Sequence, residues 1–363
     1  GVFLLTFFYE TLQIQPDIFE LIKKHPTWSF QLESVDAFIQ RSASSVNKFD
    51  PTLTKSELQD RIRSELGSET SHIVWKVGDP KWPRNPPRNF DSREKWKDCA
   101  DLIGSLNDEG SCLADAPVVA ASILTDRLCI HTNGTWKAKL SGQNSAGCQE
   151  LCTMESLISR SFAYAVKYGI SAGGYYHSKE GCLPYDNKPC IHANTSFPDN
   201  NETSSIGGVR IAPKKEDLPL CSDFTRYDYD CPTKCSNKNY HKSFEDDLIF
   251  PTTWYYTSYN EFAIRQEIMS YGPVATGIRL YADFLDKPEG IYFHDGDFDE
   301  PGKYLMWYKH LKLIGWGEEN GQKYWIGVNT WDQWGDDKVF RIPRGTDHVS
   351  VEHLLYASVF AEL

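Results

Sequence analysis

Glu109, Cys112, Asp115, Lys309, His310 and Asn329 are the residues of this chain whose types and positions could carry chemistry. Asp115 opens a run in which Val118, Val119, Ala121, Ile123, Leu124 and Leu128 are apolar on most sides, so residues 115–129 read as a buried helix. Pro117 is tolerated because it falls in the first turn. The helix dipole favours an anion at Asp115. Covalent peptide hydrolysis needs an activated nucleophile, a base that takes and returns its proton, a side chain that orients the base, and a donor to the oxyanion. A carboxylate is a poor nucleophile for that chemistry, because attack on a peptide would give a mixed anhydride. Lys309 and His310 are neighbours in a strand-like run, so alternation sends their side chains to opposite faces.

The segments that must position these residues differ along the chain. Residues 1–12 open on an apolar stretch too short to span a bilayer and are read as the remnant of a signal peptide. Residues 13–88 lack cysteine; Ile18, Leu21 and Ile22 suit one face of a short helix, and Leu58, Ile62 and Leu66 repeat the pattern after Thr54. Pro80, Pro83, Pro86 and Pro87 then form a linker that cannot be helical. Residues 160–175 contain a second helix ending at Gly169, and residues 183–250 read as loop. Strand-like runs follow at 311–315, 324–328, 339–342 and 356–361.

Composition narrows the function classes. A chain of 363 residues can bury a full core or two lobes. Its formal charge of −12 disfavours nucleic acid and anionic membrane surfaces as partners. Ten cysteines point to an oxidising compartment, because Cys148 and Cys152 form a lone CxxxC without the paired knuckles of a zinc site. Sequons at Asn133, Asn194 and Asn201 support passage through the secretory pathway. No metal or cofactor is expected, and no membrane span.

Several segments carry a resemblance. Phe90-Asp91-Ser92-Arg93-Glu94-Lys95-Trp96 resembles the start of mature cathepsin B, and Asp126-Arg127-Leu128-Cys129-Ile130-His131-Thr132-Asn133 resembles its sequence after the same helix. So do Gly181-Cys182-Leu183-Pro184-Tyr185 and Leu313-Ile314-Gly315-Trp316-Gly317, followed by Glu319-Asn320-Gly321 and Tyr324-Trp325. The chain is similar to cathepsin B-type members of the papain family from Phe90 onward. The resemblance implies an α+β, two-lobed papain-like fold, with a helical left lobe and a β-barrel right lobe, over residues 89–363. The preceding residues 13–88 would be a propeptide, in which Thr27-Trp28 resembles a short family element.

The resemblance also says what has changed. Gly110, Ser111 and Cys112 keep step with the family's active-site run, but Asp115 stands at the nucleophilic cysteine, Glu109 at the oxyanion glutamine and Lys309 at the histidine. Asn329 keeps the place of the orienting asparagine, with Trp331 after it. Met154 and Glu155 replace the glycine pair that binds substrate backbone. Asp115 and Lys309 would recreate an anion and a cation where the family has thiolate and imidazolium, and the two are expected to pair; an ordinary N-cap at Asp115 and a solvated Lys309 is the other reading. His310 is expected to face away.

Family-type pairing carried onto this sequence gives Cys99–Cys129, Cys112–Cys152, Cys148–Cys231, Cys182–Cys235 and Cys190–Cys221, with a local Cys148–Cys152 bridge as the rival. Residues 182–235 resemble the occluding loop that captures a substrate's C-terminal carboxylate through two histidines, of which only His192 remains. The expectation is a catalytically inactive, secreted or lysosomal cathepsin B-like protein. It would act by binding a peptide or cystatin-like inhibitor in the cleft, or an extracellular protein partner. The alternative is a cysteine-type peptidase with residual or displaced machinery built on Asp115 or His310.

Overall fold

In the computed structural model the apolar run after Asp115 is one helix, α1 (Asp115–His131), buried along nearly its whole length. The structure describes residues 82–360 apart from 113, 150–156, 191–192, 195–204, 207–208, 212–220, 222–230, 258–259, 287–289, 296–304 and 332–337, together with 28–30, 57, 61 and 74–76. Two further helices pack on α1: α2 (Gly142–Gln149) and α3 (Ile158–Tyr168). Helix α3 stops where Gly169 adopts φ 77°, as the sequence expectation placed it. A Cβ there would meet the Phe250 ring at 2.8 Å, so glycine is required on two counts.

The second part is a sheet. Its strands are β1 (Trp28–Phe30), β2 (Val74–Lys76), β3 (Phe90–Asp91), β7 (Thr253–Thr257), β8 (Val274–Tyr281), β9 (Leu305–Glu319), β10 (Gln322–Val328), β11 (Val339–Pro343) and β12 (Leu355–Val359). The order is β1-β2-β7-β12-β8-β9-β10-β11, with β3 paired to β9. The pairs are antiparallel except β2 with β7. Trp316, Trp325 and Trp331 fill the sheet's core with Ile278, Leu280, Leu313 and Ile342. Helix α4 (Glu261–Tyr271), starting on an Asn260 cap, covers part of it. Strands β1 and β2 lie within residues 13–88; the expected helices around Ile18 and Leu58 fall outside the described residues, save that Glu57 and Arg61 are helical.

Two adjacent residues of α1 bind the helix to the sheet. Asp126 meets Lys312 of β9 at 2.8 Å, and Arg127 meets Glu267 of α4 at 3.1 Å, all four side chains buried. Arg127 also donates to Tyr255 Oη and to the carbonyls of Gly272, Pro273 and Ser358. Burial pushes the Asp126 carboxyl up to about 6 against the attraction of Lys312, and pushes the Lys312 amine down.

The segment read as loop contains a small sheet of β4 (Ala193–Asn194), β5 (Ser205–Ile206) and β6 (Val209–Ile211). This corrects the sequence reading; these strands are two or three residues long, too short to register as alternation. Disulfides join Cys99–Cys129, Cys148–Cys231, Cys182–Cys235 and Cys190–Cys221. Cys148 therefore does not bridge to Cys152. Cys112 is also disulfide-bonded, while Cys152 lies outside the described residues.

Candidate functional site

Glu109 belongs to the loop that enters α1. An Asx turn fixes that loop: Gly110 N donates to Asp108 Oδ1 at 2.7 Å, and Gly110 takes φ 64°. Glu109 N donates to the Thr330 carbonyl at 3.1 Å. Its own carbonyl accepts from Tyr185 Oη at 3.1 Å and Asn187 Nδ2 at 2.9 Å. The loop is thereby bonded both to its neighbours and to the strand-end segment that carries Asn329, Thr330 and Trp331.

The side chain of Glu109 is held from the opposite side. Lys309 Nζ donates to Glu109 Oε1 at 2.8 Å and to Thr330 Oγ1 at 2.7 Å. Trp331 Nε1 donates to the same Oε1 at 2.6 Å, and the Trp331 ring lies 4.3 Å from Nζ. Among the described residues Glu109 Oε2 has no hydrogen-bond partner. Burial pushes the Glu109 carboxyl up to about 7, outweighing Lys309; the negative charge of Asp115 pushes the same way.

Asp115 is the first residue of α1, and Ala114 precedes it as cap without a side-chain bond. Asp115 Oδ1 accepts from Ala116 N at 2.7 Å, and Oδ2 accepts from His310 N at 2.7 Å. His310 Nδ1 lies 3.3 Å from Oδ1. Burial acts to raise this carboxyl, but the pull of His310, its hydrogen bonds and the charge of Lys309 hold it below the usual carboxylate range.

These contacts correct the expected Asp115–Lys309 pair. Lys309 pairs with Glu109, and Asp115 with His310. Alternation along β9 does separate the two neighbours, but it is His310, expected to face away, that meets Asp115; the sequence could not place Asp115. It lies on the His310 side of the strand, three helical turns from Asp126, whose partner Lys312 shares the His310 face. Both readings offered for Asp115 and Lys309 therefore fail: Asp115 is not the cap, and Lys309 is buried rather than solvated.

Asn329 is buried, and among the described residues it bonds neither Lys309 nor His310. Its Oδ1 accepts from Thr330 N at 2.7 Å, and among the described residues Nδ2 has no partner. Trp331 is buried, and its contact is with Glu109 and Lys309. Met154, Glu155 and His192 fall outside the described residues, as does Asn201. Asn133 is exposed on the turn after α1, and Asn194 lies in β4.

A second polar cluster went unnoticed in the sequence. Asp283 accepts from Tyr292 Oη at 2.9 Å and meets His294 Nδ1 at 3.2 Å, while His294 N donates to His348 Nε2 at 3.0 Å. Burial and the nearby His294 push the His348 imidazole down. Residues so far apart in sequence give no local pattern to find.

Comparison with known proteins places this geometry. The family model described as papain family cysteine protease matches residues 86–359. "Cathepsin B-like cysteine proteinase 4" of Caenorhabditis elegans is 32% identical over 279 residues, covering 75% of this chain and 75% of that protein. "Cathepsin B-like cysteine proteinase 6" of the same organism is 32% identical over 270 residues, covering 73% of this chain and 64% of that protein. Among solved structures, "proCathepsin B S9 from Trypanosoma congolense" matches with a TM-score of 0.59 at 22% identity, covering 86% of this chain and all of that one. The fold is therefore papain-like, with helices against an antiparallel sheet.

Proposed function

Because the chain belongs to the papain family and its relatives are cathepsin B-like proteinases, we propose that it keeps their fold and has given up their catalysis. One observation carries this reading. The positions matching the family's nucleophile and base hold Asp115 and Lys309, and each is committed to a buried contact with a different partner. Asp115 presents its carboxylate to a backbone N–H and a ring nitrogen, so neither oxygen is held toward an incoming carbonyl. Lys309 donates to Glu109 and Thr330 and offers no acceptor for a nucleophile's proton. Glu109 stands where an oxyanion needs a donor and brings an acceptor.

A displaced hydrolase built on the Asp115–His310 contact is the competing reading. An Asp–His pair resembles the orienting half of a triad. Among the described residues, however, no hydroxyl or thiol hydrogen-bonds His310, so the pair lacks a nucleophile.

The protein then acts by binding: a peptide or cystatin-like inhibitor at the cleft, or an extracellular protein partner. Disulfides support a secretory or lysosomal setting, and among the described residues no helix is long and apolar enough to cross a membrane. A fluorogenic dipeptidyl substrate, assayed from acidic to neutral pH beside a thiol-directed covalent probe, tests the loss of catalysis. The expected result is no labelling and no turnover above a heat-killed control. Turnover that resists inhibitors of contaminating proteases overturns the proposal.

A further inference from the structure

The Lys309–Glu109 contact is unusual in what its surroundings supply. An amine and a carboxyl lie 2.8 Å apart, both buried, across the junction between the loop before α1 and strand β9. We propose that Lys309 Nζ and Glu109 Cδ condense into an amide, a covalent cross-link that joins the helical part of the molecule to the sheet.

The balance is simple and needs no co-reactant. The ammonium first passes a proton to the carboxylate, giving a neutral amine and a neutral acid. Burial pushes the Glu109 carboxyl toward its protonated form. The Nζ lone pair then attacks Cδ, and the C–N bond forms. A second proton passes from Nζ to Oε2 within the tetrahedral adduct. The C–Oε2 bond breaks, and both protons depart with that oxygen as water. No atom is oxidised or reduced.

Three features fit the product better than the ion pair. Oε2, the oxygen that leaves, is the buried atom with no hydrogen-bond partner among the described residues. Oε1, the oxygen that stays as the amide carbonyl, already accepts from Trp331 Nε1 at 2.6 Å, which polarises the carbonyl during attack. The remaining N–H keeps the Thr330 Oγ1 acceptor at 2.7 Å. Condensation thus removes two buried charges and one orphaned acceptor, and every polar atom of the amide has its partner. The fixed contact supplies the proximity that such a reaction lacks in water.

The inference does not depend on what the protein binds. It is tested on the full chain, with glycans removed, disulfides reduced and alkylated, and the product digested with trypsin. The expected product is a branched peptide joining the stretch around Glu109 to that around Lys309, lighter than the two together by one water, with no cleavage after Lys309. Lys309→Arg should abolish it, and Glu109→Gln should give a branched peptide formed by loss of ammonia instead. Two separate, unmodified peptides with trypsin cutting after Lys309 in the wild-type chain would overturn the proposal and leave an ordinary ion pair.

Discussion

His310 gives its backbone N–H to the Asp115 carboxylate at 2.7 Å, and its ring Nδ1 lies 3.3 Å from the other oxygen. One residue earlier, Lys309 turns to the far side of β9 and meets Glu109. Two neighbours on one strand thus face two carboxylates, one from a helix start and one from the loop before it. All four groups are buried, so their electrostatics govern stability more than those of surface pairs.

Removing Lys309 alone should be costly. Lys309→Met leaves Glu109 buried without its cation, and at mildly alkaline pH the loss should be about 3–5 kcal/mol. Adding Glu109→Gln should return most of it, because the uncompensated charge is gone. Denaturant unfolding of the single and double variants measures the coupling; strictly additive losses would mean that the two side chains do not interact.

In chains where Glu109 and Lys309 have not condensed, stability should depend on pH through Glu109 and Asp126. Their folded values of about 7 and about 6 lie above the ordinary 4.5 and 3.8. Between each ordinary and folded value the folded chain binds more protons than the unfolded one. Their contribution is therefore full below the ordinary value and is lost as pH rises through the folded one. Asp115, held low, works in the opposite sense: its contribution is present above 3.8 and is lost as pH falls below it. Melting temperatures of uncondensed wild-type chain and of Glu109→Gln should differ in slope between about pH 4.5 and 7, the variant being flatter. Parallel profiles would contradict this.

Rebuilding the dyad should not rebuild the enzyme. Asp115→Cys with Lys309→His restores the family residue types but strips Glu109 of its counter-ion and leaves an acceptor where the oxyanion needs a donor. Slow labelling by a small thiol reagent is expected, with little peptide cleavage. Adding Glu109→Gln should raise cleavage, since one such donor is worth about 10²–10³ in rate. Family-like turnover from the two-residue change alone would show that Glu109 matters little.

Arg127 should be the least replaceable charge in α1. It serves Glu267, Tyr255 and three backbone carbonyls at once. Arg127→Met should cost about 3–5 kcal/mol by denaturant unfolding. Arg127→Lys should recover only part, because an ammonium cannot reproduce the planar fork. Full recovery with lysine would reduce Arg127 to a point charge.

Much of the frame was legible in the sequence because it depends on local pattern. The apolar run from Val118 to Leu128, the stop at Gly169 and the strands around Leu313, Tyr324 and Phe340 each announce themselves within a few residues. The positions that the resemblance matches to the family's catalytic groups could be named too. Their partners could not. Whether Asp115 meets Lys309 or His310 depends on which side of β9 the helix start approaches, a tertiary fact with no trace in either segment. The cluster of Asp283, His294 and His348 was invisible for the same reason, and the strands at 193–211 were too brief to show a period.

The parallel pairing of Trp75 and Lys76 with Tyr256 and Thr257 makes the segment before Phe90 a guest in the sheet. With β2 in place, β7 is an interior strand, flanked by β12 on its other side. Excision of that segment would turn β7 into an open border whose amides and carbonyls seek a new neighbour. A chain so cut would offer an extended segment of another chain a place to add itself, and retention of the segment would keep that place taken.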